Sequence, residues 1–296
     1  MLQHHDVTLS SGIRLHVASA GDPGRPMMLF VHGFPECWAA WQTQLAAFGR
    51  DHFAVAPDLR GYNLSDKPQG VAAYRVQPLM DDLLGLLQHF GHAHCVLVAH
   101  DWGGAVAWSL AARQPQCISR LVIINSPHPI PFARALTHDP AQQAASRYML
   151  RFRESDAAEL LLRDDGQRLL ALFRHPVTGQ IVLTEAEIAL YKQAWLQPAA
   201  MNAMLHYYRA SPLVPPTPTQ AGAAGLTLEP KDFLVSMPTL VIWGEQDPAL
   251  LPVLLDGLEA VVPDLRIHRV PSGSHWVVHE QPQEVETAIR AFLGAV

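Results

Sequence analysis

Short apolar segments recur along this chain and predict the strands of a sheet. They are rich in Val, Ile and Leu without polar alternation, as strands buried on both faces of a parallel sheet are. These segments are MMLFVHG (27–33), HFAVAPDLRG (52–61), HCVLVAH (94–100), SRLVIINSP (119–127), PTLVIWGE (238–245) and LRIHRV (265–270). Ahead of them, VTLSSGIRLHVASA (7–20) alternates apolar and polar positions around a Ser-Gly pair, which predicts a hairpin.

Amphipathic segments with helical spacing lie between the predicted strands. PLMDDLLGLLQHFG (78–91) stops at a glycine, AVAWSLAARQP (105–115) stops at a proline, and PQEVETAIRAFLG (282–294) begins at a proline and ends at a glycine. Alternating strands and helices of this kind require right-handed crossovers between parallel strands. The predicted fold class is therefore α/β, with a mainly parallel, doubly wound sheet.

The alternation stops between about residues 129 and 231, where only helical patterns occur. Those patterns include PAQQAASRYMLRFR (140–153), SDAAELLL (155–162) and TEAEIALYKQAWL (184–196). A stretch of this length with its own helices is too long to be a loop. We therefore predict a sheet domain formed by residues 1–128 and 232–296, interrupted by a helical cap at 129–231.

Composition limits the classes of protein that fit. Of the 296 residues, 49% are hydrophobic and 16% charged, which supports a large core and excludes a disordered chain. The net charge of −6 and the lack of a Lys/Arg cluster argue against nucleic acid as a partner. No apolar run approaches the roughly 18 residues of a membrane span, and the first residues lack a signal-peptide pattern. Together with three sparse cysteines, this predicts a cytoplasmic protein.

The 16 histidines raise the question of a metal site. The close pairs are His4/His5 and His92/His94, and neither has a carboxylate or cysteine at ligand spacing within the same element. We therefore expect neither a metal nor a cofactor. The sequence leaves the oligomeric state open.

A predicted strand runs directly into a helix at Ala99-His100-Asp101-Trp102-Gly103-Gly104. Small residues before and after Asp101 permit a very tight turn that holds the central side chain exposed, as in the nucleophile elbow G-x-S-x-G. Aspartate replaces the usual serine, and the helix N-terminus stabilises its ionised form. Because Asp also serves as a simple helix cap, the elbow alone leaves both interpretations open.

Two further residues favour a catalytic interpretation. Asp247 follows the strand at 238–245, with Glu245 as the alternative acid, and His275 follows the next strand. Catalytic groups collect at the carboxyl ends of the strands in α/β sheets. The chain order of nucleophile, acid and base is also the order of the hydrolase fold with this elbow.

The segment FVHGFPECW (30–38) adds a fourth component. A strand that ends in His-Gly-x-Pro directs a backbone N–H, here that of Phe34, toward the elbow. With the N–H of Trp102 it would form an oxyanion hole. A plain Gly-Pro turn is the alternative, but it does not account for the His-Gly pair.

These motifs together resemble the epoxide hydrolase branch of the α/β-hydrolase family. The segments that carry the resemblance are HGFPECW, PDLRGYNLSDKP, AHDWGGAVAWSL, WGEQDP and SHWVVHEQPQEV. The similarity spans essentially the whole chain and is weaker in the cap. Ala99 and Asn63 stand where the family commonly has glycine, which leaves the chemistry intact.

The resemblance implies that two cap tyrosines donate hydrogen bonds to the epoxide oxygen. One of them usually lies in a Trp/Tyr-Tyr-Arg sequence, which HYYRA (206–210) matches at Tyr208. The other lies on an earlier cap helix, where Tyr148 is the best candidate. Tyr207 and Tyr191 compete with these two, since any single tyrosine can serve ordinary packing.

An aspartate nucleophile has consequences for the reaction. Attack on an ester would give an anhydride, so esterase and lipase activities are disfavoured, whereas displacement at a saturated carbon gives an alkyl ester of Asp101. Water activated by His275, which Asp247 orients, can then hydrolyse that ester. We predict an epoxide hydrolase that forms vicinal diols, with a small hydrophobic epoxide and water as its partners.

Two other functions are weighed against this prediction. A haloalkane dehalogenase would use the same aspartate and bind the halide through indole N–H groups, for which Trp102 and Trp195 are candidates. Fluoroacetate as substrate is disfavoured, because Trp102 and Ala105 stand where those relatives carry arginines. A catalytically silent binding protein of the hydrolase fold would have lost a member of the site, and none is missing here.

Overall fold

A computed structural model describes residues 2–294 and contains one eight-stranded sheet at its centre. Its spatial order is β1-β2-β4-β3-β5-β6-β7-β8. The strands are β1 (Gln3–Thr8), β2 (Arg14–Ala20), β3 (Met27–Val31), β4 (Phe53–Pro57), β5 (Cys95–His100), β6 (Ile118–Ile124), β7 (Thr239–Gly244) and β8 (Leu265–Val270). The predicted fold class and all the predicted strands are confirmed.

The sheet is parallel from β4 to β8, and only the hairpin side is antiparallel. β1 pairs with β2 and β2 with β4 in antiparallel register, while the other neighbours run parallel. In β3, β4, β5 and β7 every residue is buried, because helices cover both faces of a doubly wound sheet. The carboxyl ends of β3, β5, β6, β7 and β8 therefore meet at one edge.

Eleven α-helices occur within residues 2–294. They are α1 (Gln42–Phe48), α2 (Val76–His89), α3 (Asp101–Arg113), α4 (Pro129–His138), α5 (Pro140–Ala145), α6 (Arg147–Phe152), α7 (Ala157–Leu172), α8 (Glu185–Trp195), α9 (Ala200–Ala210), α10 (Val277–Glu280) and α11 (Pro282–Gly294). Helix α3 begins at Asp101 itself, earlier than the apolar pattern alone indicates. None of the described helices is long and apolar enough to cross a membrane.

Helices α4 to α9 form the insertion between β6 and β7, and their helical course is interrupted at two places. The pattern at 140–153 is split in two at Ser146, whose hydroxyl accepts a hydrogen bond from the Gln142 amide. Helix α7 is interrupted at 163–166, where three successive residues, Asp164, Asp165 and Gly166, have positive φ. We propose residues 129–231 as the bounds of the cap, since the helices between the two strands fall within them.

Candidate active site

Asp101 sits at the sharp turn between β5 and α3. Its φ is +49°, in the left-handed region that a non-glycine residue rarely adopts and that often marks functional sites. A Cβ at Gly103 would overlap the carbonyl oxygens of Val31 and His32, and a Cβ at Gly33 would overlap the Asp101 carboxylate. The turn therefore forms only because glycine lets β3, its following loop and α3 approach one another closely.

The structure brings the three predicted side chains together at the carboxyl edge of the sheet. His275 Nδ1 lies 2.6 Å from Asp247 Oδ2, and His275 Nε2 lies 3.7 Å from Asp101 Oδ2. Asp247 is buried, and its Oδ1 accepts the backbone N–H groups of Ala249 and Leu250 at 2.8 and 2.9 Å. Glu245, the alternative acid, forms a salt bridge with Arg269 at the surface instead.

The charges of this cluster favour an imidazolium between two carboxylates. Burial lowers the pKa of His275, but the charge and hydrogen bond of Asp247, with the charge of Asp101, outweigh burial and raise the pKa to about 9. Burial in turn raises the pKa of Asp247, while the charge and hydrogen bond of His275 more than offset it and lower the pKa. Asp247 is therefore a stable anion that holds the His275 ring in one orientation.

The backbone donors predicted for the oxyanion hole flank Asp101. The N–H of Phe34 donates to Asp101 Oδ1 at 2.7 Å. Trp102 follows Asp101 in the first turn of α3, where backbone N–H groups have no partner within the helix. Oδ1 is thus held by the Phe34 N–H, while Oδ2 is the carboxylate oxygen that faces His275.

Tyr208 and Tyr148 face Asp101 from the cap, on α9 and α6. Their ring centroids are 6.1 Å apart, and Tyr208 also packs edge-on against Trp102 at 5.0 Å. Burial, followed by the charge of Asp101, raises the pKa of Tyr148; burial, Tyr148 and Asp101 together raise that of Tyr208. Both hydroxyls therefore remain protonated donors across the working pH range.

The competing aromatic residues are engaged elsewhere. Tyr207 lines the same cavity, but its hydroxyl donates to the carbonyl of Arg60 at 2.9 Å. The Tyr191 hydroxyl donates to Glu36 Oε1 at 3.1 Å. The indole N–H of Trp195 donates to the carbonyl of Pro35 at 2.6 Å, so it is not free to bind a halide.

A buried ionic network behind the nucleophile was not predicted from the sequence. Glu36 is 1% exposed and accepts hydrogen bonds from His100 at 3.0 Å and from His279 at 2.7 Å. The second nitrogen of His100 contacts the carbonyl of His275 at 2.9 Å, and the second nitrogen of His279 lies 3.4 Å from Glu187 on cap helix α8. The network thus links strand β5, the loop that carries His275, and cap helix α8.

Opposing effects set the charges in this network. Burial raises the pKa of Glu36, but hydrogen bonds from His100 and His279 hold it well below its usual range. Burial lowers the pKa of His279, but its hydrogen bonds to Glu187 and Glu36 raise it to about 9. Glu36 follows Pro35 in the HGFPE segment. A carboxylate within so apolar a segment was the sequence signal for a buried, paired charge.

Replacing His279 by glutamine is expected to flatten the dependence of stability on pH in alkaline solution. A histidine whose pKa rises from about 6.5 unfolded to about 9 folded stabilises the protein fully below pH 6.5, and this contribution is lost as the pH rises through 9. The shift corresponds to on the order of 3 kcal/mol. Between about pH 6 and pH 9.5 the free energy of unfolding of the wild type should therefore fall by about 3 kcal/mol more than that of the variant. Urea titration at each pH measures this difference.

The His268→Gln variant is the control, because the His268 side chain is 39% exposed and pairs with Glu284 at the surface. It should follow the wild-type curve. The raised pKa of His275 also lowers the free energy of unfolding at alkaline pH, but it does so in the wild type and in both variants. The difference between the curves therefore isolates His279. Parallel curves for His279→Gln and wild type would show that His279 is not charged in the folded protein.

Asn125 was also missed by the sequence analysis. It follows β6, has a φ of +38°, and its side-chain amide donates to Asp247 Oδ2 at 2.9 Å. Its carbonyl oxygen accepts the N–H of Gly244 at 2.8 Å, so it links the ends of β6 and β7. The sequence signal for Asn125 was its position, because it follows the carboxyl end of a central strand, as Asp247 and His275 follow the ends of theirs.

A cavity of about 500 Å³ opens in front of Asp101. It is enclosed mostly by apolar and aromatic side chains of α3, α4, α6 and α9, with Asp101, Tyr148 and Tyr208 among its polar groups. This combination of an apolar wall and a few converging polar groups is typical of a small-molecule site. Within residues 2–294, no three His, Cys, Asp or Glu side chains are grouped as metal ligands would be.

The fold is that of a hydrolase, with Asp101 at the elbow after β5, and comparison with known proteins identifies the family. The family model described as alpha/beta hydrolase fold matches residues 26–282. The chain belongs to the α/β-hydrolase family, in its epoxide hydrolase branch.

Relatives along the full chain support this assignment. Epoxide hydrolase 3 of Mus musculus is 36% identical over 287 residues, which cover 96% of this chain and 75% of that protein. The AB hydrolase superfamily protein YfhM of Bacillus subtilis is 36% identical over 289 residues, covering 96% of each chain. The crystal structure of a Bacillus megaterium epoxide hydrolase with an inhibitor superposes with a TM-score of 0.88 at 35% identity, covering 98% of this chain and 99% of that one.

Proposed function

We propose that this protein hydrolyses epoxides to vicinal diols through a covalent ester on Asp101. One observation carries the proposal: a carboxylate at an elbow and two cap phenols, Tyr148 and Tyr208, line the same apolar cavity. The carboxylate supplies a nucleophile for a saturated carbon, and the phenols supply donors for the oxygen that this attack releases. The relatives named as epoxide hydrolases support the same reaction.

In the first step, Asp101 Oδ2 attacks one epoxide carbon. The new C–O bond forms as the ring C–O bond breaks, and the bonding pair remains on the ring oxygen as an alkoxide. Tyr148 and Tyr208 donate hydrogen bonds to that oxygen, where the negative charge develops. An alkoxide is a stronger base than a phenolate, so a phenol with a raised pKa still serves as donor.

In the second step, His275 takes a proton from water, and the oxygen of that water attacks the Asp101 acyl carbon. The negative charge then develops on Oδ1, which already accepts the Phe34 N–H at 2.7 Å, and the Trp102 N–H completes the oxyanion hole. Collapse of this intermediate breaks the bond from Cγ to Oδ2, and the expelled alkoxide takes the second water proton from the oxygen that has added to Cγ. The diol leaves with Oδ2, and Asp101 is regenerated with one oxygen from water.

The change in charge on Asp101 converts His275 from acid to base. In the free enzyme the Asp101 carboxylate contributes to the raised pKa of His275. The ester is neutral, so this contribution disappears once the substrate is attached, and the pKa of His275 falls. Opening the epoxide takes up one proton and His275 releases one, so the first half-reaction needs no net proton from solvent.

The same proposal includes the partners and the location. The apolar lining fits a small hydrophobic epoxide, with water as the second substrate. A cytoplasmic location is supported by Cys37, Cys95 and Cys117, which all carry free thiols.

Replacing Tyr208 by phenylalanine is expected to slow epoxide opening by a factor of about 10 to 10³, because one positioned donor is lost while the ring remains. Tyr148→Phe should give a loss of the same kind. Turnover of styrene oxide and an aliphatic epoxide, beside matched chloro- and bromoalkanes, measures both variants against the wild type. Halide displacement needs no such donor, so any dehalogenation should change little.

Tyr207→Phe is the matched control, since Tyr207 lines the same cavity but its hydroxyl is bound by the carbonyl of Arg60. It should lower the free energy of unfolding by about 1–3 kcal/mol and leave the turnover of epoxides nearly unaltered. Unchanged epoxide kinetics in both Tyr208→Phe and Tyr148→Phe would refute the role of this pair. Turnover of haloalkanes alone would make the protein a dehalogenase.

A further inference from the structure

The backbone N–H of Phe34 belongs to a tight turn between β3 and α1. The turn spans residues 33–36 and is closed by the N–H of Glu36, which donates to the carbonyl of Gly33 at 3.0 Å. Phe34 is one of the two central residues, and its N–H donates to Asp101 Oδ1 at 2.7 Å. The direction of this N–H therefore depends on how the whole turn is held.

One face of cap helix α8 holds the turn. Tyr191 and Trp195 are four residues apart on α8 and so lie on the same side of the helix. The indole N–H of Trp195 donates to the carbonyl of Pro35 at 2.6 Å, and the hydroxyl of Tyr191 donates to Glu36 Oε1 at 3.1 Å. Two consecutive residues of the turn are thus each bound by the cap.

The contact between α8 and the turn is shielded from water. Tyr191 is 0% exposed and Trp195 is 1% exposed. The ring of Phe173 stacks against both, with centroid distances of 5.5 Å to Tyr191 and 6.3 Å to Trp195. Because hydrogen bonds are electrostatically stronger in such surroundings than in water, these two bonds hold the turn firmly to the helix.

We propose that α8 positions the oxyanion hole for hydrolysis of the ester, with Tyr191 and Trp195 holding the turn that carries the Phe34 N–H. This inference rests on the proposed function and adds two positioning residues to its second step. Neither side chain lines the cavity, so both act through the turn and not on the substrate. The cap then serves both half-reactions, since α6 and α9 carry the donors for epoxide opening and α8 supports hydrolysis of the ester.

The two half-reactions depend on the Phe34 N–H in opposite ways. In epoxide opening, negative charge leaves Asp101, so a donor to Oδ1 stabilises the starting carboxylate more than the transition state. In ester hydrolysis, negative charge develops on Oδ1, so the same donor stabilises the transition state. Loosening the turn should therefore slow hydrolysis of the ester without slowing its formation. Loss of a whole oxyanion donor slows a step by about 10²–10³, and a displaced donor is expected to slow it by about 3- to 30-fold.

The test uses the variants Tyr191→Phe and Trp195→Phe, which keep an aromatic ring and lose the donor. After rapid mixing with styrene oxide and acid quenching, intact-protein mass spectrometry measures the ester. The rate of diol formation divided by the amount of ester at steady state gives the rate constant of ester hydrolysis, which should fall about 3- to 30-fold in each variant. The initial rate of ester formation should stay within about 2-fold of the wild type.

Tyr207→Phe is the matched control, because the hydroxyl of Tyr207 also binds the cap to the sheet domain, at the carbonyl of Arg60 and away from the turn. Its rate constant of ester hydrolysis should equal that of the wild type. A general loosening of the cap would instead slow ester formation, because Tyr148 and Tyr208 lie in the cap.

A wild-type rate constant of ester hydrolysis in either Tyr191→Phe or Trp195→Phe would overturn this inference and leave the proposed function intact. An equal fall in Tyr207→Phe, or a fall in ester formation as large as that in hydrolysis, would do the same. If the wild type forms no diol, or if neither it nor His275→Gln carries an ester, the proposed function itself fails, and this inference with it.

Discussion

The His275→Gln variant is expected to accumulate a covalent ester and to lose turnover by a factor of about 10²–10⁴, as enzymes without their general base do. The first attack still has Asp101 and the tyrosine donors, and solvent supplies the proton that His275 releases in the wild type, so the ester still forms. Hydrolysis of the ester, in contrast, loses the group that deprotonates water. Intact-protein mass spectrometry after incubation with an epoxide should show the protein mass plus that of the epoxide. The adduct should map to the peptide that contains Asp101.

His268→Gln provides the comparison, since His268 lies on β8 and pairs with Glu284 away from the cavity. It should turn over at the wild-type rate without an adduct. A His275→Gln enzyme that is inactive and carries no adduct would mean that His275 acts before or during the first attack. The assignment of His275 as the base for water would then be wrong.

The oxygen that enters the diol in a first turnover is expected to come from Asp101 and not from water. In the proposed mechanism the ester forms through Oδ2 and is cleaved at the acyl carbon, so the diol carries that oxygen away and water replaces it on the aspartate. With enzyme in excess in heavy-oxygen water, the diol of a single turnover should be unlabelled. The label should appear in the peptide that contains Asp101.

The peptide that contains Asp247 is an internal control, because Asp247 is a buried carboxylate held by backbone N–H groups and the proposed mechanism forms no ester on it. It should stay unlabelled. A fully labelled diol on the first turnover would mean that water attacks the epoxide directly. Asp101 would then be a base or a helix cap, and the covalent mechanism would be refuted.

The architecture could be predicted from local pattern because each strand and helix carries its own periodicity. Fully apolar strands such as β5 and β7 are buried on both faces, and only a doubly wound sheet covers both faces of its strands. The proximity of the ends of β5, β7 and β8 follows from parallel pairing. The residues after those strands, Asp101, Asp247 and His275, could therefore be expected from the sequence at one edge of the sheet.

Within the cap, local pattern was less informative. The apolar pattern at 140–153 shows no break, yet the helix divides at Ser146, where Gln142 also donates to the carbonyl of Ala249 in the core. Contacts with the core, which helical periodicity does not encode, decide where such a helix ends. The same limit applies to the tyrosines, since the sequence could favour Tyr208 and Tyr148 but could not set Tyr207 and Tyr191 aside. In the structure the hydroxyls of Tyr207 and Tyr191 are bound by the carbonyl of Arg60 and by Glu36.

The sequence by itself therefore determined the order of the elements, the elbow at Asp101 and the edge of the sheet where acid and base lie. These follow from steric and periodic rules that act over a few residues or between paired strands. Only the tertiary structure decided that Glu36 joins His100 and His279, and that the cavity in front of Asp101 extends along α3 to Arg113. Glu36 and His279 are 243 residues apart in the chain, and a buried carboxylate finds its partners through packing that no local pattern records.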